Sequence, residues 1–197
     1  MSTVRRVLLP DLDGELFVAT EVLDDVLALL ATWAEDDPEI GLPAVLDRRA
    51  ADAVSDIRLA IARTPAVVLY GPDGDYEHQP LRLVDVDEMA VAGFGAAVAA
   101  LAAVVHGPGA GHLAELVSDI ADERRTTPAA IVELAARFHG MLELDWTDDQ
   151  RLIATRLGTA TDTRVVLTDT EEAAYRRLRD RWVAMWHDYD PLARWTY

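Results

Sequence analysis

The stretch "AVVLYGPDGDYEHQPLRLVDVDEMAVAGFGAAVAALAAVV", Ala66–Val105, decides the fold class. It opens with a short apolar run, crosses a loop rich in Gly, Pro and Asp, and returns as the alternating "LRLVDVD". β-Branched residues and period-two alternation favour strands, whereas Gly, Pro and Asp favour turns. The loop is too short for a parallel crossover, so the two strands are expected to form an antiparallel hairpin. Asp85 or Asp87 then leads into a helix whose seventeen residues Met89–Val105 carry no charge. A membrane span needs about 20 strongly apolar residues. This segment is alanine-rich and reads instead as a buried central helix, with Gly93 and Gly95 admitting close neighbours.

On the N-terminal side, Val4–Leu9 and Leu16–Ala19 read as short strands separated by "PDLDGE". Thr20 is placed to cap a helix reaching about Glu35, and Pro43 to open another ending near Arg63; both have apolar residues at helical spacing. On the C-terminal side, "HGPGAG" over 106–111 reads as a hinge, and a helix follows over His112–Arg125. Thr127-Pro128 caps a further helix, and Thr147-x-x-Gln150 is a capping box for a short one ending before Gly158. "TRVVLT" is the last strand, and Asp169-x-x-Glu172 reads as the box that opens a terminal helix over 170–189. The expectation is one domain of mostly helical α+β class, with four or five short strands in a small antiparallel or mixed sheet packed by six or seven helices. The 197 residues suffice for one real core.

Composition excludes several chemistries. Cysteine is absent, which removes thiol catalysis, disulfides and thiolate metal sites and suits a reducing cytoplasm. Lysine is absent too, so there is no Schiff base and no Walker lysine. Ser2, Ser55 and Ser118 are the only serines, and none lies in a G-x-S-x-G elbow. "MSTVRRVLLPDLDG" is too short in apolar residues for a signal peptide, and a cytoplasmic location is expected. Arg-for-Lys usage with abundant Ala and Val fits a GC-rich bacterial genome.

The net charge is −17 and unevenly spread. Residues 1–63 carry 13 acids and 6 arginines, residues 64–170 carry 17 and 7, and residues 171–197 carry five of each. Such a field repels nucleic acids and anionic membranes, so neither is an expected direct partner. A basic protein partner is.

"LLPDLDGELF", Leu8–Phe17, supports two readings. Asp11-Leu12-Asp13-Gly14 resembles motif I of the haloacid dehalogenase superfamily, where a strand ends in Asp-x-Asp-Gly-Thr-Leu. The resemblance implies Mg²⁺-dependent phosphoryl transfer, with Asp11 as nucleophile and Asp13 as general acid/base. It covers about ten residues; Glu15 stands where the family has Thr, Pro10 where it has an apolar residue, and no later motifs follow in order. The other reading is an Asp-Gly hairpin turn between "VRRVLL" and "ELFVAT", and this is preferred.

His112, Glu115 and Asp119 share one helix face and form a second candidate metal set, though Leu113, Leu116, Val117 and Ile120 make the opposite face that an ordinary surface helix needs. His78, His139 and His187 have no partner at a telling spacing. In the terminal helix, Tyr175, Leu178, Trp182, Met185 and Tyr189 form an aromatic seam flanked by arginines, with Trp186 beside it. The seam either closes the core or meets a partner. Tyr175, Arg179, Trp182, Trp186 and Tyr189 are the candidate partner-binding residues, because Trp, Tyr and Arg dominate interface hot spots. The leading expectation is a non-catalytic inhibitor, immunity or assembly factor without cofactors, binding a basic protein or a second copy of itself; the alternative is the phosphohydrolase.

Overall fold

A computed structural model describes residues 3–10, 24–32, 36, 48–74, 77–78, 80–107, 111–161 and 163–186, with the backbone alone at 48–50 and 185–186. The Asp11–Gly14 turn and the expected strand Leu16–Ala19 lie outside these residues. Chain order is β1 (Val4–Pro10), α1 (24–32), α2 (Arg48–Arg63), β2 (Val68–Tyr70), β3 (Leu81–Asp87), α3 (Glu88–His106), α4 (Gly111–Glu123), α5 (Pro128–Leu142), α6 (Asp148–Thr159), β4 (Arg164–Val166) and α7 (Asp169–Trp186). This is a mostly helical α+β fold with four short strands among the described residues.

The strands form two ladders. β1 pairs antiparallel with β3 in a register that sets Val7 opposite Val84 and Arg6 opposite Asp85. β2 pairs in parallel with β4. The expected hairpin between β2 and β3 is reduced to two isolated antiparallel bridges, Val67 with Leu81 and Tyr70 with Glu77. β2 is three residues long, and its continuous ladder is the parallel one with β4. The loop between them turns at Gly71–Gly74, where the Gly74 amide donates to the Gly71 carbonyl at 2.8 Å. Gly74 sits at φ +68°, which glycine adopts without steric cost.

Local capping places the helices. The Asp87 carboxylate accepts from the Met89 amide at the start of α3, and the Thr127 hydroxyl accepts from Ala130 at the start of α5. Thr147 and Gln150 form the reciprocal box that opens α6. Two sequence expectations shift. α6 runs through Gly158 to Thr159, since an exposed glycine costs helix propensity but does not break a turn. The box of α7 lies one residue earlier: the Thr168 amide donates to Glu171 at 2.9 Å and the Glu171 amide to the Thr168 hydroxyl at 3.3 Å. Both frames fit the sequence pattern, and Glu172 is turned inward instead.

α3 lies between α2 and α5. Gly93 faces Ala53 of α2, while Gly95 lies so close to the His139 ring of α5 that a Cβ there would overlap it. Val91, Phe94, Ala97, Leu101 and Val104 form its buried face, and Phe94 meets Phe138 at 5.7 Å between ring centres. The opposite face, Ala92, Ala96, Ala99 and Ala103, is exposed. By length and composition α3 is the one described helix apolar enough to cross a membrane; here it is packed along one face. α7 packs on α6, and Arg177 holds Asp149 in a two-pronged ion pair at 2.8 and 2.6 Å. One continuous core runs from Val26 and Leu30 of α1 through Phe94 and Phe138 to Trp182 of α7.

Candidate functional site

Three places carry chemistry: the cluster under α7, the exposed carboxylates, and the grooves between elements. On α7, Tyr175, Leu178 and Trp182 recur every third to fourth residue and bury one stripe, with Tyr175 at 1% and Trp182 at 2% exposure. These two members of the proposed partner-binding set are therefore covered by the chain itself. Arg179 is on the outer face, 3.3 Å from Asp180. The Trp186 side chain and Tyr189 lie outside the described residues.

The same inward stripe brings Glu172 under the β2–β3 loop, where His78 meets it. Both are buried, and His78 Nε2 lies 3.8 Å from Glu172 Oε1. The His78 ring sits 4.7 Å from the Tyr175 ring, and its backbone amide donates to Leu69 at 2.7 Å. Burial lowers the His78 pKa; Glu172 opposes this by favouring the imidazolium, and Arg176 and Arg179 add to the lowering. A neutral imidazole beside a carboxylate is the equipment of a general base. Here the carboxylate also receives the exposed Arg176 guanidinium, and little of the His78 or Glu172 side chain reaches solvent. The cluster therefore pins the loop to α7. Spacing could not reveal it, because its members come from a loop and a helix far apart in the chain and Glu172 also fits a capping pattern.

The metal candidates are not brought together. His112 and Glu115 form an exposed pair at 3.5 Å, and Asp119 lies farther along the same helix, also exposed. Among the described residues no three His, Asp or Glu side chains converge on a metal position. Asp11 and Asp13 lie outside the described residues.

Two grooves remain. One, of about 220 Å³, lies at the end of α6 and is lined by Arg156, Thr159, Thr161 and Arg164. Its cations are engaged locally: Arg156 donates to the Val166 carbonyl at 3.0 Å and Arg164 lies 4.0 Å over the Tyr70 ring. The other, of about 260 Å³, opens between α2, the end of β3 and the start of α3. Ile57, Leu59 and Val86 line it together with Asp56, Asp85 and Asp87, and Arg63 is its one lining cation. Asp85 is held by Arg6 in a two-pronged pair at 2.8 and 3.1 Å, which keeps its carboxyl pKa below the ordinary range. Comparison with protein-family models, curated proteins and solved structures gives no match.

Proposed function

We propose that this chain is a non-catalytic, acidic interaction protein of the cytoplasm that acts by binding a basic protein partner, as an inhibitor, immunity or assembly factor does. The observation that carries this reading is how the positive charge is spent. Arg58 pairs with Asp24, Arg124 with Asp25, Arg137 with Glu133, Arg176 with Glu172 and Arg177 with Asp149. These arginines tie helices together or brace single helices. With 35 carboxylates against 18 arginines, even complete pairing leaves a large acidic surplus. Such a surplus steers a basic partner into encounter and sets its orientation, more than it sets final affinity.

Self-association through α7 is a second reading, favoured by Val183, which is 46% exposed one turn beyond Arg179 and Asp180 on the outer face. Binding and turnover separate the main classes. The expected result is salt-sensitive association with arginine-rich peptides and no turnover of p-nitrophenyl phosphate with Mg²⁺. Mg²⁺-dependent turnover that disappears in Asp13→Ala would replace this reading with the phosphohydrolase.

A further inference from the structure

We infer that Arg156 guards an open sheet edge: by capping the outer side of β4 it keeps that strand from pairing with the same strand of a second copy of this chain. The inference goes beyond the interaction reading above and does not depend on it.

The edge follows from the ladders. Antiparallel bridges join the β2 segment to β3 and Glu77, so the spatial order is β1, β3, β2, β4, with β4 at one end. Among the described residues β4 pairs with β2 alone. The Val68 amide donates to the Thr163 carbonyl at 2.8 Å and the Leu167 amide to the Tyr70 carbonyl at 3.0 Å. Alternation along a strand then commits residues 163, 165 and 167 to β2 and turns the backbone groups of Arg164 and Val166 outward. Such an edge is a template for another strand. Val166 is β-branched and 41% exposed, which suits strand pairing. The groove at the end of α6 is lined by Arg164, Val165 and Val166, so space stands open alongside the strand.

One side chain closes this edge. Arg156 reaches across from α6 and donates from Nη2 to the Val166 carbonyl at 3.0 Å, an acceptor on the outward side. Its Nε lies 3.7 Å from Glu171 Oε2 on α7, so the guanidinium is held from two sides although 42% of the side chain is exposed. An added strand would lie about 4.8 Å from β4, in the space beside that carbonyl where the guanidinium now sits. The carbonyl itself has a second lone pair. The barrier is therefore the position and charge of the guanidinium, and charged side chains are a common defence of sheet edges.

The strand kept out is β4 of another copy. A two-fold axis beside the edge would set Arg164 of one copy opposite Val166 of the other in an antiparallel pair, using the outward groups of both. It would also bring the two Arg156 charges to one junction, so the guard acts most strongly against self-pairing.

Sedimentation velocity at rising protein concentration tests the inference. Arg156→Ala is expected to self-associate, its weight-average mass rising toward that of a dimer above the wild-type value at each concentration. Arg156→Met, which keeps the aliphatic stem and loses the charge and the donor, should do the same with its packing intact. Adding Val166→Pro removes an outward amide without touching a bond to β2, and should return the mass to the wild-type value. Arg151→Ala removes the same charge from another exposed position on α6, 3.7 Å from Asp148, and should change nothing. Folded Arg156 variants with the wild-type mass at every concentration would overturn the inference. An equal gain in Arg151→Ala would overturn it by assigning the effect to net charge. A gain that survives Val166→Pro would overturn it by placing the contact elsewhere.

Discussion

α3 and α7 invert the usual association between apolar sequence and burial. α3 is the least polar segment of the chain, yet only five of its nineteen residues are buried. α7 is crowded with arginines and acids, yet it buries Trp182 and Tyr175, the two largest fully buried side chains among the described residues. Alanine covers little area wherever it points, and α3 has neighbours on one side and its flanks only. A helix with one unbroken stripe of large residues delivers more buried area than a helix that is uniformly and weakly apolar.

The comparison breaks most visibly at Trp182. Trp182→Ala is expected to cost about 3–5 kcal/mol, through lost transfer energy and the cavity left behind. Ala96→Ser, on the exposed face of α3, should stay within about 0.5 kcal/mol. Urea unfolding of both variants checks this. A Trp182 variant of near wild-type stability that changed only self-association would make the seam an interface and reverse the assignment to the core.

How far each helix could be read follows from the range of the interactions involved. Asp87, Thr127 and the Thr147–Gln150 box act within one helical turn, so residue type and spacing reveal them. The α7 seam was legible as a stripe, but its destination was not, because Trp and Tyr stabilise a core and an interface by the same burial. Thr168 and Asp169 start two overlapping capping patterns, and only the inward turn of Glu172 toward His78 separates them. The β1–β3 ladder and the groove beside it join segments from both sides of α1 and α2. No local pattern encodes such pairings; the expected partner of β1, Leu16–Ala19, lies outside the described residues. The Asp11–Asp13 motif, the most suggestive short stretch, lies outside the described residues.

A smaller effect is expected at the cluster that anchors α7. Burial lowers the His78 pKa below its unfolded value, so the unfolded chain takes up the proton more readily. The stability that neutral His78 contributes is complete above about pH 6.5, the unfolded value, and is lost as pH falls through the folded value. Burial is the largest influence on His78; the Glu172 carboxylate opposes the lowering, and the Arg176 and Arg179 charges add to it. Asp85 and Asp149, whose arginine partners lower their pKa values, act only in more acidic solution. Between about pH 6.5 and 5, the wild type should therefore lose more stability than His78→Gln does. An NMR titration of the His78 ring with a midpoint at or above 6.5 would sink this.

The smallest effects distinguish the two glycines of α3, which look equivalent in sequence. A Cβ at position 93 would lie 3.8 Å from the Ala53 Cβ, an ordinary contact, so Gly93→Ala should stabilise by about 0.5–1 kcal/mol through helix propensity. A Cβ at position 95 would overlap the His139 ring, which also packs edge-on against Phe94 at 5.8 Å. Overpacking of this kind costs about 1–3 kcal/mol and outweighs the same propensity gain. Gly95→Ala should therefore destabilise, and adding His139→Ala should recover most of that specific loss, a coupling that a double-mutant cycle measures. Coupling near zero would mean that His139 swings aside freely and that α3 and α5 are held apart by Phe94 and Phe138 alone. The two helices would then approach as closely as those rings allow, and the glycine would set nothing.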